Sequence, residues 1–586
     1  MERGLAPFKE LIVGERVFEV PIYQRNYSWE ERQLEDLWDD LIYLDVGKKH
    51  YFGTILLKKA GTKQSGLKSF DVYEIIDGQQ RITTVLILLK EMIVQFKDVC
   101  TDPESKAELE DLEKSYLKYK DIYKLELLGD DAEFFRRVII DDQDYPDETL
   151  TPSQRRLQDA KKYFRKKYGE IKESGVDFKE FLTLFKKKID NLDIIRYPVE
   201  SDSDAVLIFE TVNDRGKPLS KLEKTKSFMM HMVYLAAPEE PEMLLQAIDE
   251  RFANIYRYFE KIRASNKGDF LDEEAIQRYH FIIYEPNAKG DRDIAYNYLD
   301  YLKRVTRELY RSKKENCLYY VMKYTEDLEK AFFAANELVS MNKNDEIGFS
   351  LNKLFLLERV ANFFPLLIAC WMRFKNEKEK MKEILRLIEA FTFRVYVIGR
   401  RRADTGEASV SRLAYNVHSN KLEYEQILKD LTELVSDYED YSSFENDIKI
   451  TDFYQRIAKR DQKYLLFEYE KFLREEAREP LDFDLETILG DKFDIEHIWA
   501  DHPDVIPQGL EQIHEQHKHK LGNLTVASAS WNRAWGNKPF DQKRAEYSKS
   551  ILRVQRDLSG ITEWGQKEIL DRENKIVKFA LKRWSV

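Results

Sequence analysis

Of 586 residues only 22 are glycine, 15 proline and three cysteine. Glycine and proline stand at about half their usual share, against roughly 7% and 5% in an average protein, which excludes a turn-rich all-β sandwich. The cysteines, Cys100, Cys317 and Cys370, lie far apart with no C-x-x-C spacing. They exclude a cysteine-based zinc site and fit a reducing cytoplasm. No apolar run reaches the ~18 residues of a membrane span; Leu354–Met372 comes closest, and Glu358 and Arg359 interrupt it. The opening MERGLAPFKELIVGERVF lacks the basic-then-apolar layout of a secretory signal. A G-x-x-x-x-G-K-[ST] loop is also missing, which excludes a P-loop ATPase.

What is present is charge and aromatic bulk. Charged residues make up 34% of the chain, and it holds 34 Phe, 33 Tyr and 8 Trp. This composition predicts a multidomain, mainly α protein with α+β ends, and the length allows about three to five domains. The net charge of −12 speaks against a polyanionic partner only on average, because electrostatic footprints are local. From Gln516 onward there are 15 Lys and Arg against 7 Asp and Glu. Five of the nine histidines also gather near that end: His497, His502, His514, His517 and His519.

Periodicity gives a coarse plan. Residues 1–235 read as an α/β domain: strand-like Val17–Ile22, a helix within Trp29–Leu44, strands Tyr51–Leu57 and Val72–Ile76, then a buried helix, Ile82–Phe96. Lys/Glu/Tyr-rich sequence over about 97–190 predicts an insertion of exposed helices. Asp193–Val199 resumes a strand, followed by a helix at Asp204–Val212 and a turn, NDRGKPLS. Residues 236–480 predict a helical linker domain, and 481–586 a small basic terminal domain.

The terminal segment carries DIEHIW, HKLGNLTVASASWN and NKPFDQKRAEY. Phosphodiester hydrolysis needs a base that takes a proton from water and a divalent cation to neutralise the leaving oxygen. Histidine suits the first task because its pKa lies near working pH. Glu496 and His497 are neighbours, so an extended strand turns them to opposite sides, one toward a metal and the other toward the water. Asn532 then brings a neutral oxygen ligand back to the same metal. Glu-His-Ile, Gly-Asn-Leu-Thr and Asn532 together resemble the ββα-metal (His-Asn-His, HNH) nuclease motif. More narrowly, they resemble the C-terminal domain of the GmrSD family of modification-dependent (type IV) restriction endonucleases. The resemblance implies His497 as general base, Glu496 and Asn532 as metal ligands, and Asn523 as the residue that orients the catalytic loop. Asn537, Phe540, Lys543 and Tyr547 follow the same pattern. One departure is Ala500, where the family usually has proline. Lys520, Arg533, Lys538 and Lys543, with Arg400 and Arg401 of FRVYVIGRRR, are the expected DNA contacts. His502, His514, His517 and His519 read as solvated or phosphate-facing, with at most one functional.

Near the N-terminus, VYEIIDGQQRITTVLILL reads as strand, glycine turn and helix. Such a turn offers free backbone N–H groups and a positive dipole end to an anion. Arg81 adds a planar cation there, and Arg25 of PIYQRN supplies a second. Downstream, FETVNDRG places Glu210 to hold Mg²⁺ and Asn213 and Arg215 to reach phosphate. The same physics suits a DNA phosphate. The run VPIYQRNYSWE, WDDL, YFGTILL and IIDGQQRITT resembles the N-terminal domain of the GmrSD family, related to the ParB/sulfiredoxin-like fold. That resemblance implies binding and hydrolysis of an NTP (GTP, ATP or CTP) through Gln24, Arg25, Asp77, Gly78, Gln79, Gln80, Arg81, Glu210, Asn213 and Arg215.

The sequence thus predicts an NTP-regulated endonuclease dependent on Mg²⁺ or another divalent metal, which cleaves modified, double-stranded phage DNA. It is expected in the cytoplasm and away from membranes, with a homodimer left open. The alternative is a non-catalytic, nucleotide-switched DNA-binding regulator.

Overall fold

A computed structural model describes residues 4–22, 24–45, 48, 50–100, 102–145, 150–199, 220–239, 241–265, 271–506 and 508–586. The chain divides into two compact units. The first is Met1–Glu260 with Tyr298–Glu329; the second is Lys261–Asn297 with Lys330–Val586. Both are dominated by helix, and none of the described helices is long and apolar enough to cross a membrane.

The first unit is built on a mixed six-stranded sheet. Its strands are β1 (Gly4–Pro7), β2 (Arg16–Glu19), β3 (His50–Ser65) and β4 (Lys68–Asp77), then β7 (Leu125–Glu126) and β8 (Leu192–Pro198), in the order β1-β8-β3-β4-β2-β7. A separate short hairpin joins β5 (Lys118–Tyr119) to β6 (Ile122–Tyr123). Strands β3 and β4 pair antiparallel, and β2 lies parallel to β4. The helix Glu31–Ile42 starts at a capping box between Glu30 and Gln33, which satisfies two backbone donors that a helix start leaves open. Its Leu34, Leu37, Trp38 and Leu41 are buried at the three-to-four spacing that makes one helix face.

The segment 97–190 is not the layer of exposed helices that its composition predicts. The helix Pro152–Glu173 buries Leu157, Ala160, Phe164 and Tyr168, and Phe178–Asp190 buries Leu182, Phe185 and Ile189. These side chains belong to the same core as Leu86, Ile75 and Trp38. The Trp38 ring lies 5.2 Å from Tyr168 and 5.1 Å from Phe185. Charge on the outer faces of these helices hides an apolar stripe on the inner one.

In the second unit, β9 (Phe493–His497) and β10 (Leu524–Ser528) form an antiparallel pair, with Glu496 opposite Thr525 and His497 opposite Leu524. The helix Ala529–Trp535 follows directly, capped by the Ser528 hydroxyl. Ile495, Leu524 and Val526 share a core with Phe393, Tyr464, Phe579 and Trp584. The Trp584 ring stacks on Phe393 at 3.8 Å between centroids. The hairpin therefore rests on helices that precede and follow it in the chain.

Candidate active site

Strand β9 turns Glu496 and His497 to opposite sides, as strand geometry requires. Glu496 is buried and accepts from Lys543 Nζ at 2.5 Å; the same ammonium donates to the His497 carbonyl at 2.8 Å. Burial raises the Glu496 carboxyl and Lys543 opposes the rise. Burial likewise lowers Lys543, against the pull of Glu496. Each charge is tolerated because the other is there.

On the opposite side, His497 Nε2 lies 3.2 Å from His519 Nδ1. The Tyr454 ring packs edge-on against His497 at 4.4 Å and parallel to His519 at 5.6 Å. Burial drives the His497 imidazole down to about 3, with Asp501 opposing and His519 and Lys543 assisting. A ring so placed is neutral at physiological pH, and the same burial that keeps its lone pair free weakens it as a base.

Asn523 is fully buried and spends its amide on the surrounding loop. Its Oδ1 accepts from Trp499 N at 2.8 Å and Trp564 Nε1 at 3.0 Å, while its Nδ2 donates to Trp499 O at 2.9 Å and Lys518 O at 2.8 Å. It ties the stretch after β9 to the stretch before β10. Asn532, on the helix Ala529–Trp535, donates from Nδ2 to Ile495 O at 3.3 Å. The amide oxygen is thereby the atom left for a ligand.

Among the described residues no group of three His, Cys, Asp or Glu is placed to hold a metal. A carboxylate and an amide oxygen are a hard, sparse donor set, which fits a magnesium-like ion that keeps several waters. A cation beside Glu496 is already accommodated in the form of the Lys543 ammonium. The residues fit such an ion.

Two of the expected DNA-contacting lysines are buried instead. Lys543 is committed to Glu496, and Lys520 pairs with Glu573 at 3.1 Å and donates to Lys449 O. The basic count of the terminal segment therefore overstates its surface charge. Arg533 and Lys538 are exposed. Arg400 is exposed but pairs with Asp447 at 3.1 Å, and Arg401 reaches Tyr438 O. Of the other histidines, His514 is buried on Ala500 O at 2.8 Å, His517 bonds Ile513 O, and His502 is open to solvent. His519, which the sequence groups with His502, His514 and His517 as solvated or phosphate-facing, stands beside His497. Its spacing to Asn523 carries no signal of its own.

In the first unit the glycine turn is as expected: Gly78 adopts φ +98° and the helix Gln79–Val99 begins there. A side chain at Gly78 would be strained by that backbone and would press on Ile55. The glutamines, however, bond backbone. Gln24 donates to Ile76 O at 2.5 Å and Gln79 to Arg25 O at 2.7 Å. Gln80 accepts from Ser28 N at 2.8 Å and donates to Asn26 O at 3.1 Å. Together they stitch the PIYQRN loop to the turn. Arg81 pairs with Asp77 at 2.9 Å and reaches Phe52 O, and Arg25 lies 3.8 Å from Glu223. Glu210, Asn213 and Arg215 lie outside the described residues.

No curated protein matches the chain. Two family models do: "GmrSD restriction endonuclease, N-terminal domain" over residues 8–230, and "GmrSD restriction endonucleases, C-terminal domain" over 438–579. The first spans five of the six strands of the sheet, all but β1, and its glycine turn, the second the hairpin with Glu496, His497, Asn523 and Asn532. With both terminal domains matched in order, the chain belongs to the GmrSD family of restriction endonucleases, enzymes of phage defence whose substrate is DNA.

Proposed function

We propose that this restriction endonuclease cuts DNA by one-metal hydrolysis at the β9–β10 hairpin, as a ββα-metal (HNH) nuclease. The buried His497 that ends β9, next in sequence to the buried Glu496, is the observation that carries this reading. Strand, strand and helix in that order, with Asn532 on the helix, support it. With Nε2 turned to His519, Nδ1 is the nitrogen that takes the proton from the attacking water. The oxygen of that water forms the new bond to phosphorus, the bond to the leaving oxygen breaks, and solvent returns a proton to the leaving group. A divalent ion, when held by Glu496 and Asn532, neutralises the charge that develops on the leaving oxygen. Asn523 keeps the loop that follows the base in place, and Arg533 and Lys538 offer surface charge to phosphate, a contact that carries no sequence information.

The N-terminal unit is proposed to adopt a ParB/sulfiredoxin-like fold, to bind an NTP at the Gly78 turn, and to restrain cutting to foreign, modified DNA. The backbone N–H groups of the turn and the guanidinium of Arg81 are suited to phosphate. The glutamines and Asp77 shape the site. Residues 1–235, 236–480 and 481–586 are then sensing, linking and cutting segments.

The test is cleavage of modified and unmodified phage DNA by the full chain, with and without Mg²⁺ and each of GTP, ATP and CTP. Native protein should cut modified DNA only with the divalent ion, and His497→Ala should not cut at all while still folding. Full cleavage by that variant, or cutting in EDTA, would sink the nuclease reading. Loss of nucleotide binding in Arg81→Ala checks the N-terminal site.

A further inference from the structure

His519 lies on the loop that Asn523 anchors, between His497 and Asp501. Its Nδ1 is 3.2 Å from His497 Nε2, and its Nε2 is 3.8 Å from Asp501 Oδ1. The ring is held on its flat side by Tyr454, whose backbone N–H also donates to the His519 carbonyl at 3.0 Å. Asp501 is fixed in turn by Lys518 at 3.2 Å. Three side chains thus stand in line, carboxylate to imidazole to imidazole, ending at the proposed base.

We propose that His519 and Asp501 are positioning residues for the base, a relay that fixes the tautomer and orientation of His497; the proposal rests on the nuclease reading above. A neutral imidazole has one N–H and one lone pair, and the hydrogen bond at one nitrogen decides which is which. Asp501 Oδ1, 3.8 Å away and beyond hydrogen-bond range, favours a proton on the near nitrogen of His519, Nε2, through its charge. That leaves His519 Nδ1 as an acceptor, which takes the N–H at His497 Nε2 and places the lone pair on Nδ1. As Nδ1 gains the proton of the attacking water, the imidazolium finds an acceptor and a carboxylate behind it. No bond to His519 or Asp501 forms or breaks, and no proton leaves His497 through them. The logic is that of a carboxylate orienting a catalytic histidine, here passed through a second ring. Lys518 and Lys543 are the other charges near the base, and neither contacts its ring in a way that would fix the tautomer.

Two substitutions separate this role from simple packing. His519→Phe keeps a ring for Tyr454 and loses the acceptor; His519→Gln keeps an acceptor and loses the ring. In full-length protein the Phe variant should lose about 10–100-fold in kcat, with KM for DNA unchanged. The Gln variant should recover most of the rate. Asp501→Asn, which leaves both rings in place, should lower kcat in the same direction. Protein labelled with ¹⁵N-histidine supplies a readout independent of cleavage: the bonded Nε2–H signal of His497 should be present in native and Gln proteins and lost in the Phe protein. A Phe variant or an Asp501→Asn variant at full rate would overturn the relay. So would a Gln variant as slow as Phe, or a His497 signal that none of these changes moves. The nuclease reading fails separately, if His497→Ala still cuts, and the relay falls with it.

Discussion

Lys543 shows how far a side chain's role depends on what covers it. In sequence it is one more cation in a basic tail; in the fold it is buried against Glu496, 47 positions away in the chain. Lys520 and Glu573 repeat the pattern across 53 positions. Pairings of this kind leave no local mark, which is why both lysines read as DNA contacts. Glu496, His497 and Asn532 could be put forward because a strand's alternation and a nuclease's needs can be written in residue types, and Asn523 through the family resemblance. His519 could not, since only tertiary folding brings it to His497. Removing the ammonium leaves a buried, unpaired carboxylate, a change that costs about 3–5 kcal/mol. Lys543→Met should therefore be destabilised by that order in urea unfolding. Adding Glu496→Gln should restore most of the stability and none of the cleavage. If the double variant is no more stable than the single one, Lys543 supports the fold through something other than this pair.

Among the elements, the turn before β10 is held by close approach. Gly522 sits so near the helix Gln566–Arg583 that a Cβ would lie 2.0 Å from Ile569 O and 3.0 Å from Glu573 Cβ. Arg572, from the same helix, donates to Gly522 O at 2.9 Å and Leu524 O at 2.7 Å. Gly522→Ala must push the helix away, and overpacking of this kind typically costs about 1–3 kcal/mol. A lower melting midpoint with weakened cleavage is expected; an unchanged midpoint would mean the helix yields freely. A second element carries a pH signature. Glu439, buried at the end of the helix Tyr424–Tyr438, is pushed up to about 7 by burial and by Asp447, with Arg401 and Arg394 opposing. A raised folded value means the native state binds the proton more tightly than the unfolded chain. The contribution is complete below the ordinary glutamate range and is lost as pH rises through 7. Glu439→Gln should melt higher than native protein at pH 8, by about 2–4 °C, and show no such gain at pH 5. Equal effects at both pH values would contradict the assignment. At this scale the sequence was read well for β2, β3, β4 and β8, missed the short β1, β5, β6 and β7, and was read poorly for the helices over 97–190. Their apolar residues at 157, 160, 164 and 168 keep a helical period, but the lysines and glutamates between them drew the reading toward solvent.

At the scale of the whole chain, residues 481–586 and the helices before them share one core. Phe393, Tyr464, Phe467, Leu524, Phe579 and Trp584 pack together. A buried cluster reinforces them: Lys353 bonds Glu389 at 3.0 Å, Tyr464 bonds it at 2.5 Å, and Arg583 reaches both Glu389 and Glu468. Composition shifts sharply after Pro480, which makes a boundary there look natural, but a change in residue usage does not mark where a core ends. Residues 481–586 produced alone should lack a cooperative thermal transition, because half of the apolar surface they pack on is missing. Trp584→Ala in the full chain should cost about 3–5 kcal/mol. A fragment that melts cooperatively would show that the hairpin and its following helix suffice.

That shared core also sets a timetable for synthesis. The ribosome makes the N-terminal sheet first, and the strand bearing His497 emerges long before the helix that supports it; Gln566 comes 69 positions later. At ~5–20 residues per second the wait is several seconds. Through that interval Phe393, Tyr464 and Phe467 are already made but Phe579 and Trp584 are not, so the core under the hairpin is incomplete. The hydrophobic floor under the hairpin thus acts as a delay, completed only after the N-terminal sheet has had time to fold.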